Sequence, residues 1–230
     1  MNATDERTEE LHREQTDRRN VMVSRMFAVL LVVQYIAGIA AAFMVSPYAW
    51  AGKERVLHMH VWVAILAGAG ITVLPVLLAL LRPAAPVTRH VIAASQMLSS
   101  ALLIHLSGGR IETHFHVFGS LAFLAFYLDW QVIVTATVVV AADHFARGLY
   151  WPESVYGVVT AEWWRFLEHA GWVAFEDVFL IWSCIFGQRE FHNAAARQAE
   201  MERLAEQEQL KTAALEMAMA EMGIATAQAQ

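Results

Sequence analysis

Apolar and polar residues fall into long blocks along this chain and do not mix. The runs 24–46, 58–81, 90–107, 114–128, 131–150 and 166–187 are almost wholly apolar, aromatic or small. Each reaches or approaches the roughly twenty residues that a bilayer crossing needs at 1.5 Å of rise per residue. The fourth run is short, and it can extend backwards through Glu112 and Thr113. Between the runs stand Ser46-Pro47, Arg82-Pro83, Gly108-Gly109, Asp129-Trp130 and Trp151-Pro152, which is turn and helix-end chemistry. Pro75 lies within the second run and predicts a kink there, not an end. The pattern predicts an all-α fold: a polytopic membrane helix bundle of six transmembrane helices over 23–187. An N-terminal tail over 1–22 precedes it, and a helical C-terminal segment over 188–230 follows.

Composition agrees with bilayer as the solvent. Hydrophobic residues make up 57% of the chain and charged residues only 17%, below the usual share for a globular domain. Most of the charge sits in residues 1–25 and 187–211, so the net charge of −6 belongs largely to the two ends and suggests no nucleic-acid partner. The single cysteine, Cys184, has no mate for a disulfide or a thiolate cluster within the chain. A cleavable signal peptide is not expected, because the first twenty residues are polar and the first apolar run is too long.

Lysine and arginine set the orientation. A cytoplasmic N-terminus puts Arg7, Arg13, Arg18, Arg19, Arg25, Arg82, Arg89, Arg189, Arg197, Arg203 and Lys211 inside. Only Lys53, Arg55, Arg110, Arg147 and Arg165 then lie outside. Both termini are expected in the cytoplasm, and the Trp-rich segment from Trp151 through Trp163 to Trp164 reads as an outer interfacial belt.

That topology sorts the ten histidines. His12, His90 and His192 fall on the cytoplasmic side. His58, His60, His105, His114, His116, His144 and His169 all map to the outer third of the bundle, on five different runs. Glu112, Asp143 and Glu168 share their level, while Glu176 and Asp177 lie deeper. Ionisable groups inside a membrane are costly unless paired, so they face the bundle interior and mark function by default. The expected metal ligands are His60, His105, His114, His116, His144, His169 and Glu176, with Glu112, Asp143, Glu168 and Asp177 as carboxylates that orient them. His58 and His12 read as solvated. His114 and His116 are two apart and point about 200° apart on a regular helix, so only one would face the core unless the helix starts near His116. Asp143 has an alternative partner in Arg147, and Glu168 in Arg165.

With thiolates absent, a histidine-rich site suits zinc, copper or iron. Glu-x-x-His pairs of the bridged di-iron kind are missing from the outer layer. Haem would leave most of these histidines unexplained, so a bare transition-metal ion is the expectation.

Beyond Gln188 the chain is rich in Ala, Glu, Gln and Met, which are good helix formers. Leu210, Met217 and Ile224 are spaced by seven, with Ala213 and Ala220 between them, a partial heptad seam.

Several stretches resemble a known group of proteins. These are His105-Leu-Ser-Gly-Gly-Arg-Ile-Glu-Thr-His-Phe-His-Val-Phe through to Leu128-Asp-Trp, Ala142-Asp-His-Phe-Ala-Arg-Gly, Trp151-Pro-Glu-Ser-Val-Tyr-Gly, and Leu167-Glu-His-Ala-Gly-Trp-Val-Ala-Phe-Glu-Asp. They resemble the N-terminal membrane sensor regions of bacterial sensor histidine kinases, whose relatives precede diguanylate cyclase and chemotaxis-transducer modules. The resemblance covers about residues 80–187 well and the first two runs loosely. It implies an input domain in the bacterial inner membrane that reports a cue to a cytoplasmic output module, a kinase or cyclase, as a homodimer. Because the chain carries no phospho-acceptor box, nucleotide box or cyclase motif, that module is expected in a longer parent chain or on a separate polypeptide.

The leading expectation is therefore a metal-dependent sensory domain, not itself an enzyme, that signals through its sixth helix. A membrane metal- or haem-dependent oxidoreductase is the alternative. Transport is disfavoured, because the inner halves of the runs are nearly free of ionisable groups.

Overall fold

The computed structural model describes residues 3–162 and 164–228, without the side chains of 223–228. Trp163 of the expected aromatic belt, the side chain of Ile224 in the heptad seam, and Met1, Asn2, Ala229 and Gln230 at the ends of the expected tails lie outside the described residues.

Among the described residues the chain is all-α apart from one hairpin. Helix α1 spans Ala3–Val45, and a two-stranded antiparallel hairpin follows, β1 (Tyr48–Ala51) and β2 (Glu54–Leu57). Then come α2 (Met59–Leu81), α3 (Pro86–Leu106) and α4 (Ile111–Leu124). A single 3-10 turn, Ala125–Tyr127, leads to α5 (Trp130–Tyr150), the one-turn helix α6 (Glu153–Tyr156) and α7 (Arg165–Gln228). Among the described residues, α1, α2, α3, α5 and α7 are long and apolar enough to cross a membrane, while α4 is only 14 residues long.

The chain forms two units, residues 17–188 and the pairing of 1–16 with 189–230. In the larger unit α3 is central, packing against α2, α4, α5 and α6. Its core is built from Phe27, Ile92, Met97, Ile104, Leu121, Leu124, Ile133 and Cys184, all fully buried. The helix starts use local chemistry. Asp129 accepts from the Gln131 amide at 3.0 Å, a cap worth about 1 kcal/mol. Pro86 opens α3, where its missing N–H costs nothing. Where α3 meets the start of α5, Arg89 and Asp129 pair at 2.7 Å. There Ser24 Oγ lies 2.8 Å from the Pro83 carbonyl and 3.0 Å from the Tyr127 hydroxyl, and Phe27 stacks on that tyrosine ring.

In the smaller unit, Leu11, Ala195 and Ala199 form a small apolar core. Around it, Arg7 donates to Glu202 at 2.9 Å and Gln15 donates to Gln198 at 3.1 Å. The His12 and His192 rings meet edge to face at 5.2 Å.

Candidate functional site

His58, His60, His105, His114, His116, His144 and His169 separate into three groups. The central group is His114 from α4, His144 from α5 and His169 from α7. Their ring centres form a triangle with sides of 5.2 Å (114–169), 5.5 Å (114–144) and 6.1 Å (144–169). His114 and His144 are each 5% exposed.

Each ring in this group has Nδ1 turned towards an oxygen. His114 Nδ1 bonds the Arg110 carbonyl at 3.0 Å, and His169 Nδ1 bonds the Arg165 carbonyl at 3.0 Å, both one turn back on the same helix. A carbonyl oxygen only accepts, so Nδ1 carries the proton in both rings and Nε2 is left with its lone pair. His144 Nδ1 lies 3.2 Å from Asp143 Oδ2, within ion-pair reach but without hydrogen-bond geometry. His114 Nε2 is buried and has no partner among the described residues.

These rings sit at one end of an apolar cavity of about 550 Å³ between α4, α5 and α7. Its walls include Phe118, Val140, Phe166, Val173 and Trp182. Further along α7 the cavity meets Asp177, 8% exposed, whose Oδ2 lies 2.6 Å from Thr137 Oγ1 on α5. Asp177 Oδ1 is buried without a partner among the described residues.

The second group is His58, His60 and His105. Ring centres stand 4.3 Å apart for His58–His60 and 5.0 Å for His60–His105, and Trp151 lies 4.9 Å beyond His105. His58 is also the N-cap of α2, accepting from the His60 amide through Nδ1 at 3.1 Å. His105 Nδ1 reaches Ser154 Oγ at 2.9 Å.

His116 stands by itself and faces the other way. Its Nε2 lies 3.0 Å from Gln34 Nε2 on α1, and its Nδ1 lies 2.7 Å from Ser100 Oγ on α3. Both nitrogens are engaged, so in this arrangement it is a polar packing residue. The two-residue spacing from His114 divides the pair between opposite faces of α4, as helical geometry requires.

The carboxylates divide as well. Asp143 forms a two-pronged pair with Arg147, at 2.6 and 2.9 Å. Glu112 is exposed and pairs with Arg110 at 3.4 Å, while Glu168 is exposed. Glu176 has Oε2 buried without a partner among the described residues, but it does not line the cavity. Asp177 does, one position further around the helix. Among the described residues, no group of three or more His, Cys, Asp or Glu side chains stands ready-made as a metal ligand set.

Periodicity alone could not have found some of the residues that complete this region. Thr137 sits on the α5 face that meets Asp177. Tyr156, on the one-turn α6, brings its ring 5.2 Å from that of His169. Ser154 links His105 to Arg147, whose Nη1 donates to its Oγ at 2.8 Å. The cue for Ser154 and Tyr156 was present in the Trp151-Pro-Glu-Ser-Val-Tyr-Gly stretch.

No family model matches the chain, and no solved structure matches it. Over 74 residues it is 38% identical to a protein named Transducer protein Htr8 from Halobacterium salinarum. The matched stretch is 32% of this chain and spans 12% of that protein's length. This likeness and the long apolar helices fit a membrane receptor of the signal-transducer kind.

Proposed function

We propose that the chain is the membrane input part of a bacterial signalling receptor, with a transition-metal ion held by His114, His144 and His169. In this reading six helices cross the inner membrane, α4 with its following turn among them, and both termini are cytoplasmic. The output module is a kinase or cyclase, in the same chain or a separate one, and the receptor works as a homodimer. Helix α7 supplies His169 and continues to Gln228, so it is the natural transmitter.

One observation carries the metal reading: three imidazoles from three helices converge with Nδ1 directed at oxygen. That is how metal-binding histidines are usually oriented, the outer oxygen fixing the tautomer and raising the basicity of the other nitrogen. Spacing supports it. An ion about 2.1 Å from one nitrogen of each ring lies about 3.2 Å from each ring centre, which places the centres about 5–5.5 Å apart. Two sides of the triangle match, and the third would shorten slightly on binding. Copper, zinc and iron all accept such a nitrogen set. Asp143 and Arg147 then hold His144 in place, and His60, His105 and Glu176 lie outside the immediate coordination.

A metal-dependent oxidoreductase is the competing reading, favoured by the cavity that abuts the three rings and would admit a small substrate. Elemental analysis and an absorption spectrum of the purified chain test the metal. At least one transition-metal ion per chain is expected, lost in the His114→Ala/His144→Ala/His169→Ala variant. Full retention by that variant overturns the site. A Soret band in place of bare-ion stoichiometry would replace the ion with haem. Turnover of oxygen or a quinone by the loaded protein would favour the enzyme.

A further inference from the structure

The cavity holds more than the histidine group needs. Its far wall carries Asp177, about 12 Å along α7 from His169 at 1.5 Å per residue. A metal ion at the rings would leave this carboxyl untouched. The hydrogens within reach limit its bonding. Thr137 Oγ1 is 2.6 Å from Asp177 Oδ2 and 2.9 Å from the Ile133 carbonyl, and a hydroxyl has one hydrogen. Thr137 donates to an ionised Asp177, or it donates to Ile133 and accepts from an Asp177 protonated on Oδ2. Both leave Oδ1 only with lone pairs, whereas a proton on Oδ1 would make it a donor and let an ether bind as well as a phenol. Buried and without a partner among the described residues, Oδ1 with its lone pairs needs a donor from outside the chain.

The surroundings restrict what that donor is. An ammonium would bring a charge into walls made of Phe118, Val140, Phe166 and Trp182, where its loss of hydration opposes binding. A neutral hydroxyl avoids this. The aromatic walls favour a flat partner ring, and the volume suits a drug-sized molecule. Val178 and Trp182, which line the cavity, are 66% and 67% exposed, so it opens sideways to the face that lipid covers. We infer that the cavity binds a lipid-soluble aromatic alcohol, its hydroxyl donating to Asp177 Oδ1 and its apolar tail leaving between Val178 and Trp182. The inference rests on the receptor reading, for which it supplies the chemistry of the cue, and it is independent of the metal ion.

The test uses the full chain in nanodiscs with 4-nonylphenol, its methyl ether 4-nonylanisole, and decanol, each followed by isothermal titration and thermal midpoint. The phenol is expected to bind saturably and raise the midpoint. The ether, which lacks the donor, and decanol, which lacks the ring, should each bind at least ten-fold more weakly. Asp177→Leu should weaken phenol binding at least ten-fold. Ala141→Phe, which fills the cavity from α5, should abolish it and serves if the first variant does not fold. Equal binding of phenol and ether, or unchanged binding to both variants, overturns the inference. So does a wild type that ignores the phenol while either variant changes oligomeric state, since the occupant is then a second copy of the chain. Metal content measured on the same samples separates the two readings. Phenol binding lost with metal retained by the wild type sinks only the aromatic alcohol, and the reverse sinks only the metal.

Discussion

A β-carbon on Gly109 would fall 2.3 Å from the Gly157 amide nitrogen, and one on Gly157 would fall 2.9 Å from the Gly108 carbonyl oxygen. Two loops distant in sequence, the α3–α4 connection and the exit from α6, therefore touch through backbone alone. All three glycines also have positive φ, at +72°, +73° and +66° for Gly108, Gly109 and Gly157. The contact ties the start of the helix bearing His114 to the segment bearing Ser154 and Tyr156.

Gly109→Ala should accordingly be among the most damaging small changes outside the core. The left-handed conformation alone costs about 1–2 kcal/mol for a non-glycine residue, and the opposing atoms are backbone that cannot rotate away. The expected result is a clear fall in thermal midpoint and increased proteolysis at the 150–162 loop. Gly119→Ala is the control. Gly119 is helical with nothing near its missing β-carbon, so the change should be neutral or stabilising by up to about 1 kcal/mol.

His114 and His116 should behave oppositely despite their closeness in sequence. His114→Gln is expected to lower metal content several-fold while the protein folds normally. His116→Gln should keep the metal and lose stability, by about 1 kcal/mol, because the ring bridges Gln34 and Ser100. Equal metal loss in both would mean that His114 and His116 belong to one site.

Much of this was legible in the chain because bilayer crossing imposes length. The run 58–81 became Met59–Leu81 and 131–150 became Trp130–Tyr150. The fourth run ended four residues early, since Leu128 takes the left-handed conformation at φ 50° and a 3-10 turn replaces the last helical turn. Depth, counted along each run, put seven histidines in one layer, with His114, His144 and His169 among them but not singled out. Their division into groups was not legible, since it depends on the rotation of each helix about its axis. A one-residue step on α7, about 100°, is what exchanges Glu176 for Asp177 at the cavity. The β1–β2 hairpin left only a faint cue, Gly52 at φ +66° between two short polar-flanked segments.

Orientation is tested with reporters. One inserted between Pro152 and Glu162 should read external, and one fused after Gln230 should read cytoplasmic. Reversed results would place the histidine group on the inner side and turn the receptor to face the cell interior.

The smaller unit should loosen in acid. Glu202 accepts from Arg7 and from Gln198, and these bonds, Arg7's foremost, hold its carboxyl below the ordinary 4.5. A group whose folded pKa is depressed contributes stability above its unfolded value and loses it as pH falls through the folded one. Amide exchange over residues 3–16 should therefore accelerate as pH is lowered from 5 towards about 3, after correction for intrinsic rates. Glu202→Gln should show the faster exchange already at pH 7 and a flatter pH profile. The pair is exposed to solvent, so the effect is small and weakened further by salt.

Helix α7 is expected to transmit the signal. Binding at the end that carries His169 can shift an equilibrium only if the ion or ligand prefers one position of the helix. His169 and Asp177 are the two ionisable α7 side chains that line the cavity, and both have partners on other helices, His114 and His144 for one and Thr137 for the other. A kinase or cyclase module grafted after the C-terminal segment supplies the readout. His169→Ala and Asp177→Asn should each displace the output from its wild-type level, at least one of them locking it in a single state, in protein that still inserts. Glu176→Gln probes the neighbouring carboxyl, which lies off the cavity, and should change the output less than Asp177→Asn. If His169→Ala and Asp177→Asn both signal normally, α7 is not the transmitter. An output that ignores removal of the metal by chelation would move the oxidoreductase reading ahead.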